Sequence, residues 1–376
     1  MRFGHDMKEV TGKKVDRLFL TIVLLLTGIG LIFFVSASLG VLARSETKFY
    51  NVLFSQLAVG LIGGLIAFYL TSRINYKVWR KYSFLFLIGA LALSILVFVP
   101  GLGLTHGGAT RWISLGFISF QPAEFLKIAF VMYFASWLSA VRERADSFLH
   151  GLLPFFIIMA IIAAILLRQP DTKSLILMFV AGASMYFLTG VQLKKIFIIG
   201  GVAVAGFAIL AFTTPYLRDR VTTFMNPDHD PQGSSYQLKQ ALIAVGSGGI
   251  GGKGIGQSIQ KFNYLPEPQG DSIFAVICEE TGFVGGLVVV LLYAAFAMRG
   301  LRISSRAPDS FGRLLSAGII ILLTAQSFLN IASITGLFPL TGVPLVFMSQ
   351  GGTSLLISLA AAGIVLNISR TQKRRV

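Results

Sequence analysis

Apolar runs long enough to cross a bilayer recur from one end of this 376-residue chain to the other. A helix needs about 20 apolar residues to span some 30 Å of hydrocarbon. A helix on a soluble core would show a polar face; these runs are apolar all round, as lipid-immersed helices must be. Composition agrees, with 55% hydrophobic and 13% charged residues. The expected fold is therefore all-α, a polytopic membrane protein of about ten spans. They fall near 17–37, 52–71, 82–99, 122–141, 149–168, 172–189, 194–214, 271–298, 312–334 and 343–367. The first run is long and lacks a small-residue cleavage site, so it reads as a span and not as a cleavable signal.

Charge orients the bundle. With the N-terminus inside, the inner face collects Arg2, Lys8, Lys13, Lys14, Arg17, Arg73, Lys77, Arg80, Lys81, Arg142, Arg144, Lys194 and Lys195. Arg299, Arg302, Arg306, Arg313 and the tail Arg370, Lys373, Arg374 and Arg375 follow on the same side. About two thirds of the basic residues thus obey the positive-inside bias, which places both termini in the cytoplasm. The expected organisation is one membrane domain, 1–376, with cytoplasmic tails 1–16 and 368–376. A long extracytoplasmic loop, 215–270, falls between the seventh and eighth helices. The net charge of +16 is mostly topology. Nucleic acid is not an expected partner, because the basic residues do not cluster with aromatics on a soluble face; membrane lipids are.

Cys278 is alone and inside a span, and His5, His106, His150 and His229 are scattered without ligand spacing. No metal site is readable. The glycine cluster Gly246–Gly256 does not fit the phosphate-cradling template: Ser247 stands at the first glycine and Gly254 at the required hydroxyl. It reads as tightly turned backbone. Before it, Leu238, Leu242 and Val245 at helical spacing suggest an amphipathic helix on the membrane surface.

The chemistry gathers on the outer side. Asp271 stands between Gln269-Gly270 and the apolar run from Ser272, at the mouth of a helix where a carboxylate meets both a low dielectric and water. Glu124 and Lys127, three apart, share one helical face. They serve either as an ion pair that holds the bundle or as the lining of a polar cavity. Arg111 among glycines suits bidentate binding of a diphosphate, and Trp112 beside it suits the headgroup level. Asp171 and Lys173 reach the same level, as a charged turn or as part of a shared cavity. Glu279 and Glu280 are adjacent buried carboxylates, at least one of which needs a donor or a proton. Gln326 and Asn330, four apart, read as polar glue between helices.

In order and spacing these words resemble the SEDS family (shape, elongation, division and sporulation) of peptidoglycan glycosyltransferases, from about Asp16 to Arg370. The words are Ala109-Thr110-Arg111-Trp112, Gln121-Pro122-Ala123-Glu124, Gln169-Pro170-Asp171 and Gly256-Gln257-Ser258-Ile259-Gln260-Lys261. Tyr264-Leu265-Pro266-Glu267, Asp271 with Ile273-Phe274-Ala275, Glu279-Glu280-Thr281-Gly282-Phe283 and the run Gly336–Gly352 continue them. The stretches 300–312 and 366–370 lean to the division branch, FtsW-like, over the elongation branch, RodA-like. The chain departs from the family at Gln269-Gly270, where His-Thr is common, and at 346–350.

The resemblance implies a lipid II polymerase in the bacterial inner membrane, at the division septum, with its active site facing outward. It implies Asp271 as general base and a direct, inverting displacement. Arg111, Trp112, Glu124, Lys127, Asp171, Lys173, Lys261 and Glu280 would bind substrate. It further implies a class B penicillin-binding transpeptidase and other division proteins as partners. No cofactor is implied, and a divalent cation assisting the diphosphate stays open. A flippase for the same lipid and a non-catalytic scaffold are the competing classes.

Overall fold

A computed structural model of the chain describes residues 15–106, 109–114, 119–141, 144, 146–226 and 234–371. Most of both expected tails, and the Pro227–Pro231 stretch of the long loop, lie outside the described residues.

The helices are α1 (Arg17–Leu42), α2 (Glu46–Phe54), α3 (Gly64–Arg73), α4 (Tyr76–Leu96), α5 (Pro122–Ala140), α6 (Leu153–Arg168) and α7 (Thr172–Phe187). After them come α8 (Leu193–Thr213), α9 (Pro215–Met225), α10 (Ser234–Ser247), α11 (Ile273–Ser305), α12 (Ser310–Ile334) and α13 (Gly352–Arg370). A π-helical stretch, Ser55–Gly63, fuses α2 and α3 into one rod, Glu46–Arg73. Among the described residues eight helices are long and apolar enough to cross a membrane. Parts of α8 and α9 form a ninth candidate bent by 95°, and α7 is shorter, at 16 residues.

Local chemistry starts several of these helices. Asp16, Asp171 and Asp309 each accept a backbone N–H of the first turn of α1, α7 and α12, as N-caps do. Pro122 opens α5, where its missing N–H costs nothing. The helices then sort by depth. In α5, α12 and α13 the buried share is 67%, 72% and 83%, against 22% for α4 and for the rod Glu46–Arg73. Three helices therefore form the centre, and the others face lipid with one side. The loop before α5 adds what the helical pattern does not announce, a small antiparallel sheet ordered β1 (Gly103–His106), β2 (Ala109–Ser114), β3 (Ser119–Phe120). Leu104 pairs with Trp112 in it.

Two departures from regular helix position the site. The tenth expected span, 343–367, is corrected: helix begins only at Gly352, and residues 339–351 enter the bundle as irregular backbone. Its apolar side chains, Val343, Leu345, Val346, Phe347 and Met348, are buried like those of a helix, which is why composition alone misleads. Non-helical backbone at such depth must have its polar groups satisfied by protein. Here side chains do it. Asn330 donates to the Val343 carbonyl at 2.7 Å and Gln326 to that of Pro344 at 3.1 Å. Gln56 donates to Ser349 O at 3.2 Å and accepts from Gly351 N at 2.9 Å.

The second departure is a break in α11 at Gly282, whose φ of 68° and ψ of −166° leave the helical region. Gly246–Gly256 is not merely a turn near the membrane, because it repairs this break. Lys253 N and Gly254 N donate to the carbonyls of Glu279 and Glu280 at 3.0 and 2.9 Å. Phe283 N and Val284 N donate in return to Gly249 O and Ile250 O at 2.9 and 3.3 Å. A Cβ on Gly248 or Gly252 would overlap the Cys278 or Glu280 carbonyl, so the approach requires glycine. The expected amphipathic helix exists as α10, but it buries Leu238, Ala241 and Ala244 against the bundle while Leu242 is exposed.

Candidate active site

Asp271 lies two residues before α11, held by its backbone from three sides. Gly270 N closes a turn onto Glu267 O at 2.9 Å, and Gln350 N donates to Gln269 O at 2.7 Å. Asn330 Nδ2 reaches the Asp271 carbonyl at 2.6 Å. The α12 asparagine thereby ties the start of α11 to the irregular segment, a sharper role than the helix-to-helix glue expected of it.

The Asp271 side chain receives Gln237 Nε2 on Oδ1 at 3.2 Å, and Ser272 Oγ at 3.4 Å. Desolvation raises its carboxyl above the ordinary range. The Lys173 and Arg220 cations and the hydrogen bonds from Gln237 and Ser272 oppose that rise. Lys173 Nζ also donates to the Gly342 carbonyl, and Arg220 Nη1 to that of Leu340. Gly342, at φ 63°, brings the chain so close that an added Cβ would stand 3.3 Å from Asp271 Oδ2. The two cations also line a groove of about 410 Å³, part of it open, whose walls include Ile176, Phe207, Leu217, Val221 and Phe338.

Around this centre the other residues named from the sequence divide. Arg111 Nε donates to Gln169 O at 3.0 Å, and its Nη2 to Pro170 O, so it braces the turn into α7. Asp171 caps that helix and accepts from Ser174 Oγ at 2.9 Å and Gln121 Nε2 at 3.3 Å. Both lie within electrostatic reach of Lys173, as does Glu124. Glu124 and Lys127 pair at 2.8 Å, each nearly fully buried. Ser354 of α13 donates to Glu124 at 2.9 Å, and Lys127 donates to Gln326 of α12 at 2.6 Å. The pair is thus a cross-link of the three central helices, set beside the site. Trp112 sits half-buried in β2.

Lys261 and Glu280 stand apart. They form their own ion pair at 2.8 Å with both side chains fully buried. Ser36 of α1 donates to Glu280 at 2.6 Å, and Lys261 donates to the Gly256 carbonyl at 2.7 Å. Arg220 and Gln237, which face Asp271, are not among the site residues expected from the sequence. No signal in the sequence singles out Arg220, because Arg111, Lys173, Lys253 and other basic residues also lie outside the inner-face set.

The sequence profile of a family described as cell cycle proteins, FtsW, RodA and SpoVE, matches residues 16–374. The chain belongs to this family. Stage V sporulation protein E of Bacillus subtilis (strain 168) is 40% identical to it over 365 residues, covering 96% of this chain and 99% of that protein. A probable peptidoglycan glycosyltransferase FtsW of Geobacter sp. (strain M18) is 38% identical, covering 96% and 98%. Among solved structures, one described as "Structural coordination of polymerization and crosslinking by a peptidoglycan synthase complex" superposes with a TM-score of 0.76 at 25% identity, covering 95% and 98%. The rod shape determining protein RodA of Thermus thermophilus, at TM-score 0.69 and 23% identity over 96% of this chain and 98% of its own, shares the fold. The polytopic membrane architecture is therefore that of the FtsW/RodA/SpoVE family. Among the described residues of this family member, no three His, Cys, Asp or Glu side chains gather as a metal site.

Proposed function

We propose that this chain is a peptidoglycan glycosyltransferase that polymerises lipid II into glycan strands at the outer face of the cytoplasmic membrane. The names of its relatives support the activity. The observation that carries the mechanism is Asp271, a carboxylate raised by burial, beside two cations that line a greasy groove. Asp271 takes the proton from the attacking sugar hydroxyl, whose oxygen forms the new bond to the donor's anomeric carbon. The bond from that carbon to the diphosphate breaks, and the diphosphate leaves with the electron pair. Lys173 and Arg220 stabilise the charge as it develops, and the apolar walls hold the polyprenyl tether. Glu124 and Asp171 are already engaged with Lys127, Ser354, Ser174 and Gln121. With Asp271 acting as base and not as nucleophile, the reaction is a single inverting displacement.

The relatives called FtsW and the family's cell-cycle description support work at the division septum. The likeness to a polymerising and crosslinking complex supports a class B penicillin-binding transpeptidase as partner. The test is polymer formation from purified lipid II, with and without the transpeptidase, by wild type and Asp271→Asn. The substitution is expected to abolish strands without weakening the fold. A carboxyl whose folded-state pKa is raised costs stability once it ionises, so asparagine removes that cost at neutral pH. Substantial polymer from a folded Asp271→Asn protein would overturn the reading, and movement of labelled lipid II across vesicles without polymer would favour a flippase.

A further inference from the structure

The break at Gly282 makes the first part of α11, Ile273–Thr281, a separate short rod. Its direction is not inherited from the long lipid-facing helix beyond the break, because the backbone at Gly282 leaves the helical region. It is set by whatever pins its two ends. At one end stands Asp271, with its anchors Asn330 and Gln237. At the other, the four main-chain hydrogen bonds to residues 249–254 meet two carboxylates. Glu279 accepts Lys253 Nζ at 2.7 Å and Ser258 Oγ at 2.5 Å. Glu280 accepts Lys261 Nζ at 2.8 Å, Ser36 Oγ at 2.6 Å and Ser258 N at 3.4 Å.

The Lys261–Glu280 pair is what joins this end to the rest of the bundle. Ser36 belongs to α1, and Gly40, one turn on, lets α1 press against the Lys261 carbonyl, where any Cβ would overlap. Both charges are fully buried. Such a pair adds little to stability compared with an apolar one, but it fixes a unique arrangement because leaving either charge unpaired is costly. From Glu280 to Asp271 the rod is about 13 Å long at 1.5 Å per residue, so a tilt of roughly 4° at the clasp moves the carboxylate by about 1 Å. A displacement of that size can cost about 100-fold in rate.

We propose that Lys261 and Glu280, with Ser36, form a positioning clasp that aims the short rod and so places Asp271 against Lys173 and Arg220. In this role they act through Asp271 and not on the substrate itself, which differs from the substrate-binding role that the resemblance implies for them. The inference rests on Asp271 being the base, and the experiment separates the two. The double variant Lys261→Met with Glu280→Leu replaces the pair by apolar side chains of similar volume and strands no charge. Its melting temperature in detergent, its polymerisation kcat and KM for lipid II, and its pH–rate profile are measured beside Asp271→Asn. The clasp predicts near wild-type melting and unchanged KM. It also predicts a kcat lowered about 10- to 100-fold and a displaced acid limb, since the carboxylate has moved relative to its cations.

A stable double variant with wild-type kcat and pH profile, beside an inactive Asp271→Asn, overturns the clasp alone. An active Asp271→Asn overturns the base itself. Should the double variant fail to fold, Ser36→Ala keeps the ion pair and removes one hydrogen bond. It is expected to lower kcat two- to fivefold with the same displacement of the limb, and an unchanged kcat overturns the proposal.

Discussion

Replacing Asn330 by leucine tests whether the site is held together by one side chain of α12. Its Nδ2 donates at 2.6 Å to the Asp271 carbonyl and at 2.7 Å to the Val343 carbonyl. Leucine fills the same space and donates nothing, so two carbonyls in a buried setting lose their partner, each at about 1–3 kcal/mol. Part of that loss is offset. The Asn330 Oδ1 is itself buried without a partner, and removing it relieves a penalty of about the same size as one lost bond. The net destabilisation is therefore about 1–3 kcal/mol, a fall of a few degrees in melting temperature for a chain of this length. Activity should fall further than stability, because the released carbonyls belong to Asp271, the proposed base, and to the segment that carries Lys173's partner, Gly342. The assay is thermal unfolding in detergent by intrinsic fluorescence, with strand formation measured at a temperature where the variant is folded. Asn330→Leu with wild-type melting and wild-type rate would refute the argument, because neither anchoring bond could then matter.

Three further outcomes follow from the geometry. Arg220→Gln removes a cation that opposes the raised Asp271 pKa. The acid limb of kcat/KM, on which activity is lost as pH falls and the carboxylate takes up its proton, should therefore move to higher pH; a limb that stays in place or moves to lower pH contradicts the pairing. Lys127→Met should destabilise by about 3–5 kcal/mol because Glu124 is left buried, whereas Lys127→Met with Glu124→Leu should recover most of the loss. Equal melting of the single and double variants would show that the pair is not the cross-link described.

Much of the fold was legible because lipid leaves few options: a run of apolar residues of the right length is a helix, and its length is countable. The exceptions share a cause. Residues 343–351 are as apolar as a span, and only the partners of their backbone reveal that they are not one. Those partners, Gln56, Gln326 and Asn330, sit up to 295 positions away in sequence. Asp271 was legible as a lone carboxylate at a helix mouth, and Lys173 because it shares that level. Arg220 and Gln237 were not, since nothing local in the long outer stretch 215–270 marks which of its polar side chains turns toward Asp271. Glu280 was legible as a buried carboxylate in need of a donor, but nothing in the sequence names Lys261 and Ser36 as its donors. Motif order shows that two residues belong to one site and does not show which of them touch each other.

On the proposed function, the arrangement of cations lets the region take an anionic substrate without losing its shape. Arg111 gives two of its donors to the backbone of residues 169 and 170, and Lys127 is matched by Glu124. Lys173 and Arg220 differ, because each touches the irregular segment through a carbonyl while also facing Asp271 and the groove. A lysine ammonium has three donors and needs only one for Gly342. A diphosphate can therefore be met by a cation that does not release the scaffold. In the proposed mechanism this pair neutralises charge where the leaving group forms; it also offsets the burial that favours the protonated state of Asp271. Loss of either cation should accordingly injure both the departure of the diphosphate and the readiness of the base, which a single binding measurement would not separate but a pH–rate profile would.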